Sequence, residues 1–142
     1  MEKIAQFIKL QSRDRKLVLL CKWTEKHFQE GRTVAIHAAD ADQAKKIDKK
    51  LWTFKQSSFV PHAIIGEAEE PVIEPVLIAV GDEEVPESDV LMVASGRDPD
   101  GWVGRFPRVY DFAEIYDSDL RLAARERFKT YQDGGYKMKF IE

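Results

Sequence analysis

The stretch "PVLIAVGDEEVPESDVLMVA", residues 75–94, decides the fold. Its two ends, Pro75 to Val80 and Val90 to Ala94, are nearly unbroken aliphatic runs. They are too short for helices and lack the alternation of a strand with one wet face, so they read as strands covered on both sides. The acidic, proline-containing segment between them reads as a loop. Upstream, residues 4–10 (IAQFIKL) read as a first strand. Ser12 is placed to cap a helix in which Leu17, Leu20, Cys21, Thr24 and Phe28 share one face, and Gly31 ends it. A second strand covers Thr33 to Ala38. Asp40 caps the next helix, "ADQAKKIDKKLW", whose apolar stripe is Ala44, Ile47 and Leu51. Downstream, "RVYDF" at 108–112 reads as a strand, and a final helix runs from about Asp117 to Asp133, closed by Gly134-Gly135. This order predicts an α/β fold with a mainly parallel central sheet flanked by helices.

The length of 142 residues suits one domain with a core of its own. Hydrophobic residues at 44% and charged residues at 33% exclude a disordered chain. A formal net charge of -3 weighs against a surface that tracks a phosphate backbone throughout. Cys21 is the one cysteine, so no disulfide forms within the chain; a reducing compartment is expected, with Cys21 serving as a small buried hydrophobe. The N-terminus is too short and charged for a signal peptide, and no apolar run approaches the ~20 residues of a membrane span. A cytoplasmic protein without a membrane segment is expected.

Catalytic chemistry is hard to find in this sequence. "KLQSRDRK" stands after the first strand where a dinucleotide site needs G-x-G-x-x-G, and no P-loop pattern occurs. Gly101-Trp102-Val103-Gly104 has no helix directly behind it to complete a phosphate cradle. His27, His37 and His62 lack metal-ligand spacing and no second Cys joins them, so neither a metal nor a cofactor is expected. Ser57-Ser58 lies near His62, but without the G-x-S-x-G elbow of a nucleophile. The carboxylate pairs Glu69-Glu70 and Glu83-Glu84 lie in acidic loops, where solvation accounts for them.

On the last helix, "DSDLRLAARERFKTYQD", Leu120, Ala124, Phe128 and Tyr131 gather on one side. Arg121, Arg125 and Lys129 stand beside them at four-residue steps, and like charges at that spacing cost about 0.2–0.5 kcal/mol per pair. Asp117 offsets Arg121; nothing comparable answers Arg125 or Lys129. A basic stripe bordered by Phe128 suits a ligand with carboxylates and an apolar end, such as a peptide's C-terminus. The alternatives are a solvated basic face near a helix C-terminus, or a weak contact to a DNA backbone. A second unusual segment, "KKLWTFKQSSFVPHAIIGE" at 49–67, places Trp52, Phe54 and Phe59 close together across a helix end. It is either a lid folded on the domain or a surface for another protein.

Taken together, "LW…SFVPHAIIGE" and "ARERFKTYQDGGY", with "EGRTVAIHAADADQAKKIDKKLW", "PVLIAV", "DVLMVASG" and "VYDFAE" in order between and around them, resemble the chi subunit of bacterial DNA polymerase III, the HolC family. The resemblance spans most of the chain and implies a single chi-like domain over residues 1–142, with a Rossmann-like three-layer α/β fold and no catalytic site. It further implies an accessory subunit that binds the acidic, Phe-ended C-terminal tail of single-stranded DNA-binding protein and links it to the clamp loader during replication. The positions matching the tail pocket are Arg125, with Arg121, Phe128 and Lys129 around it: Arg125 for the terminal carboxylate, Lys129 and Arg121 for the acidic residues before it. Positions matching the docking surface for the psi subunit are Trp52 and Phe59, with Val60, Pro61 and His62 beside them. The alternative is that Trp52 and Phe59 pack inward to close the domain. DNA is then reached only indirectly. Phe128 stands where the family usually has Tyr, and the segment "FAEIYDSD" differs in length from familiar members, leaving Ala113 or Ile115 as candidates for the apolar wall. A substitute clamp-loader component or a repair helicase is the alternative partner at Trp52, and a small nucleotide-binding enzyme is the alternative from another class.

Overall fold

The computed structural model describes residues 2–55, 57, 59–66, 73–81, 83, 85–99 and 101–141. In chain order the elements are β1 (Ile4–Leu10), α1 (Lys16–Gln29), β2 (Val34–Ala38), α2 (Ala41–Thr53), β3 (His62–Ile64), β4 (Val76–Val80), β5 (Val90–Val93), β6 (Arg108–Glu114), α3 (Ser118–Asp133) and β7 (Lys137–Ile141). The strands form one sheet in the order β3-β4-β2-β5-β6-β1-β7, and every pairing is parallel. The expected α/β three-layer architecture is thus present, with a sheet that is wholly parallel among the described residues rather than mainly so. No helix among the described residues is long and apolar enough to cross a membrane.

The central strands explain their composition. β2 and β5 are buried at every residue, β4 at all but Val80. One face, with Ile36, Ile78 and Met92, packs under α1 and α2 through Leu20, Cys21, Ala44, Ile47 and Leu51. The other face, with Ala35, Ala79, Leu91 and Val93, packs against α3 and the loop that carries Trp102 and Phe106. Asp40 caps α2 as expected, its side chain accepting from the Gln43 amide. Ser12 does not cap α1. It precedes a 3-10 turn over Arg13–Arg15, makes no side-chain cap bond, and α1 begins only at Lys16.

Two strands went unanticipated. β3 is three residues long and starts with a histidine, and β7 is a charged edge strand, so neither carries an apolar run. Gly135, at φ 93°, turns the chain out of α3 so that β7 lies beside β1.

Candidate functional site

α3 is fastened to the sheet by a buried ion pair. Arg127 donates through Nε to Asp111 Oδ2 at 2.7 Å and through Nη2 to Asp111 Oδ1 at 3.2 Å. Its remaining donors reach the carbonyls of Gly96 (2.8 Å) and Phe112 (3.2 Å). Asp111 also accepts from Tyr131 Oη at 2.7 Å. Burial works against the Arg127 charge, but Asp111 outweighs it and pushes the guanidinium pKa up; Tyr131 is pushed up too, by burial first and then by Asp111. With Ala124, Arg127 and Tyr131 turned inward, Arg121 and Arg125 are turned out.

The outward side opens on a pocket of about 450 Å³ at the carboxyl ends of β1 and β6. Arg121, Ala124, Arg125 and Phe128 form its α3 wall. Ala113 and Ile115 line it at the end of β6. Phe7 and Lys9 enter from β1, and Phe140 from β7. Phe128 stacks on Phe140 with ring centroids 5.6 Å apart and planes at 15°, and Phe7 lies 5.9 Å from Phe128. Three of the nine lining residues are cations and none is acidic, so the pocket joins an aromatic floor to a positive rim. Arg121 and Arg125 also border an adjoining cleft of about 360 Å³ with Ile115, Ser118 and Leu122. Lys129 is exposed on α3 and is not among the pocket's lining residues.

Sequence reasoning found Arg121, Arg125 and Phe128 but missed Phe7, Lys9 and Phe140, which arrive from strands distant in the chain. The signal for Phe7 and Lys9 was the period of two along β1, which puts Ala5, Phe7 and Lys9 on one face. The signal for Arg127 was Asp111, a charged residue set between Tyr110 and Phe112 in β6 and buried with them.

The aromatic segment divides into an outer and an inner part. Trp52 is 50% exposed and Phe59 65% exposed, with ring centroids 5.6 Å apart. Pro61 is half-buried. Val60, 1% exposed, belongs to the core under α2, and His62 is buried as well. The His62 ring nitrogens lie 2.6 Å from the Val60 carbonyl oxygen and 3.1 Å from that of Asp48, while the ring packs 4.4 Å from Trp52. The expectation that Val60 and His62 belong to an exposed docking surface is therefore corrected: both support the surface from beneath, because an apolar Val and a bonded His ring fill the gap between α2 and β3. The inward-packing alternative fails for Trp52 and Phe59 themselves. Ser58 and the pair Glu69-Glu70 lie outside the described residues, as does Glu84.

The other histidines are also engaged. His37 contacts Ser95 Oγ (2.7 Å) and the Gly81 carbonyl (2.8 Å), and burial lowers its pKa. His27 accepts from Arg32 Nη1 at 3.1 Å, and burial first, then Arg32, lowers its pKa to about 4. Another cavity, of about 520 Å³, opens at the carboxyl ends of β2 and β5, where open α/β sheets place ligands. Two of its polar groups are taken up internally: Lys16 pairs with Glu114 at 2.8 Å, and Gln43 bridges the Ala39 amide and the Ala94 carbonyl.

Residues 1–139 match the family described as DNA polymerase III chi subunit, HolC. The chain belongs to that family. The chi subunit of Pseudomonas aeruginosa is 32% identical over 124 residues, covering 87% of this chain and 84% of the relative. The chi subunit of Escherichia coli is 29% identical over 120 residues, covering 84% of this chain and 80% of the relative. Among solved structures, the C-terminal domain of the DEAD-box protein Dbp5 superposes with a TM-score of 0.64 at 13% identity, covering 99% of this chain and 89% of that one. T4 UvsW gives 0.67 at 10% identity, covering 98% of this chain and 41% of that one. At such identities the likeness speaks for the shared fold alone, and the chi family supplies the link to DNA replication.

Proposed function

We propose that the protein is a non-catalytic adaptor of the DNA polymerase III holoenzyme that captures the C-terminal tail of single-stranded DNA-binding protein. The observation that carries this reading is the pocket under α3. A terminal Phe side chain fits among Phe7, Phe128 and Phe140, with its carboxylate against the Arg125 guanidinium, which binds carboxylates through two parallel bonds. Arg121 and, farther along α3, Lys129 attract the acidic residues that precede the Phe.

The Trp52–Phe59 pair is the second surface, for psi or a substitute clamp-loader component; exposed aromatic anchors of this kind dominate protein interfaces. It adjoins β3 at one edge of the sheet, whereas the tail pocket adjoins β7 at the other. Six inter-strand steps separate the two by about 30 Å, so both partners bind at once and the tail contact gains from high local concentration. A helicase at Trp52 in place of the clamp-loader component makes the same adaptor serve repair. In either case DNA is reached through the tail.

Titration with a short acidic peptide ending in Pro-Phe tests the reading. Micromolar, salt-sensitive binding is expected, and Arg125→Ala should weaken it by roughly 30-fold or more, as for loss of a buried charge partner. Binding that survives Arg125→Ala at moderate salt overturns the site.

A further inference from the structure

Strand β7 ends the sheet, and no strand among the described residues pairs with its outer side. The Lys137 amide donates to the Lys3 carbonyl at 2.8 Å, which fixes the residues of β7 that face β1. Backbone groups alternate sides along a strand, so Lys137, Lys139 and Ile141 bond toward β1, while Met138 and Phe140 turn N–H and C=O to the open edge. Side chains alternate as well. Met138 and Phe140 lie on the α3 face, Phe140 being part of the pocket, whereas Ile141 packs with the opposite core and Lys137 and Lys139 are exposed on that opposite face.

We propose that this edge receives the acidic peptide as an eighth strand, parallel to β7, before its last residue enters the pocket. The inference rests on the tail-binding reading above. The pocket opens at the carboxyl ends of β1 and β6, so a chain that terminates there approaches along β7 in the strand's own direction. Residues of the incoming segment then alternate between a row beside Met138 and Phe140 and a row beside Lys137 and Lys139. Cross-strand pairing selects apolar side chains for the first row and carboxylates for the second. Lysines on an exposed edge discourage pairing with arbitrary strands, and an acidic segment converts that deterrent into attraction.

Two versions of the Pro-Phe peptide, N-methylated at alternate amides, separate this mode from side-chain capture alone. One set of amides faces β7 and the other faces solvent, so one version is expected to bind about tenfold more weakly, as for a lost backbone bond plus steric block, while the other binds like the unmodified peptide. Met138→Pro removes an amide directed to the open edge and should weaken the unmodified peptide to a similar degree, with thermal stability showing that the fold is kept. Equal affinity of both methylated peptides, with Arg125→Ala still abolishing binding, overturns the added strand and leaves the pocket reading intact. Failure of the unmodified peptide to bind the folded chain overturns both.

Discussion

Arg127→Met keeps the buried stem of the side chain and removes its charge, leaving Asp111 in the protein interior with its main counter-charge gone. Four hydrogen bonds go with it: two to Asp111, and one each to the carbonyls of Gly96 and Phe112. Tyr131 Oη and the Phe112 amide still donate to Asp111, so its carboxylate is not stripped bare. Removing one member of a buried pair costs about 3–5 kcal/mol, and the surviving donors place this case near 4. Against a total of about 5–15 kcal/mol for a domain, that is a large fraction. Urea denaturation at neutral pH, read as the midpoint shift at constant slope, measures it. Arg125→Ala, two residues away and exposed, should change stability by no more than about 0.5 kcal/mol. The two arginines of "ARERF" should thus exchange roles between assays: Arg127 holds the fold, and under the proposed function Arg125 holds the peptide. A cost below about 1 kcal/mol for Arg127→Met, or a comparable loss from Arg125→Ala, refutes the assignment of burial to one and exposure to the other.

The pKa of His27 is lowered from 6.5 to about 4, so its folded state resists protonation; this stability is complete above the unfolded value and is lost as pH falls between the two. About 2 kcal/mol should disappear between pH 7 and pH 5, and His27→Asn should keep only the shallower dependence left by His37; identical pH profiles contradict this. Cys21, buried and with its thiol pushed up to about 12, should react with a thiol reagent only at the rate of unfolding, whereas fast modification of the native protein contradicts its burial. Val60→Ala should cost about 2 kcal/mol of stability while Trp52→Ala and Phe59→Ala cost little but abolish partner capture, and the reverse pattern in a denaturation and pull-down pair refutes the division between support and surface.

What the sequence made legible follows from how strongly burial constrains composition. β4 and β5 sit between two layers and accept only apolar side chains, so "VLIAV" and "VLMV" announce themselves. β3 and β7 are edge strands with one neighbour each; exposure relaxes the requirement, and "HAI" and "KMKFI" carry no such signature. The site divides along the same line. Arg121, Arg125 and Phe128 share one helix, so a wheel brings them together. Phe7 and Phe140 meet them only through the register Phe7↔Phe140 between β1 and β7, a pairing of distant segments that local pattern cannot supply. Val60 and His62 were misplaced because proximity in sequence to Trp52 and Phe59 does not reveal which way a chain turns after a helix end.

The wholly parallel arrangement of the described strands and the position of the candidate site are connected. In open parallel sheets, ligands use the crevice beyond the carboxyl ends of the central strands. Here α1 is reached through a 3-10 turn rather than a glycine-rich loop, and side chains span the crevice: Gln43 ties α2 to the ends of β2 and β5, and Lys16 ties α1 to Glu114. Burial raises the Glu114 pKa, but the bonds from Lys16 and Tyr116 prevail and leave it lowered, as a carboxylate held charged by its partners. Those contacts bind the α1–α2 layer to the centre of the sheet. The α3 face has one helix and a loop, and toward β7 the cover ends, leaving Phe128 and Phe140 partly open over the buried Phe7 and beside two outward arginines. Under the proposed function, binding at that edge needs no glycine-rich cradle, since the terminal carboxylate and its apolar side chain meet arginine and phenyl side chains rather than a phosphate-binding loop. Arg125→Ala should therefore remove the peptide and leave the central crevice and its hydrogen bonds unchanged, an outcome that amide exchange of Ala39 would register as unaltered protection.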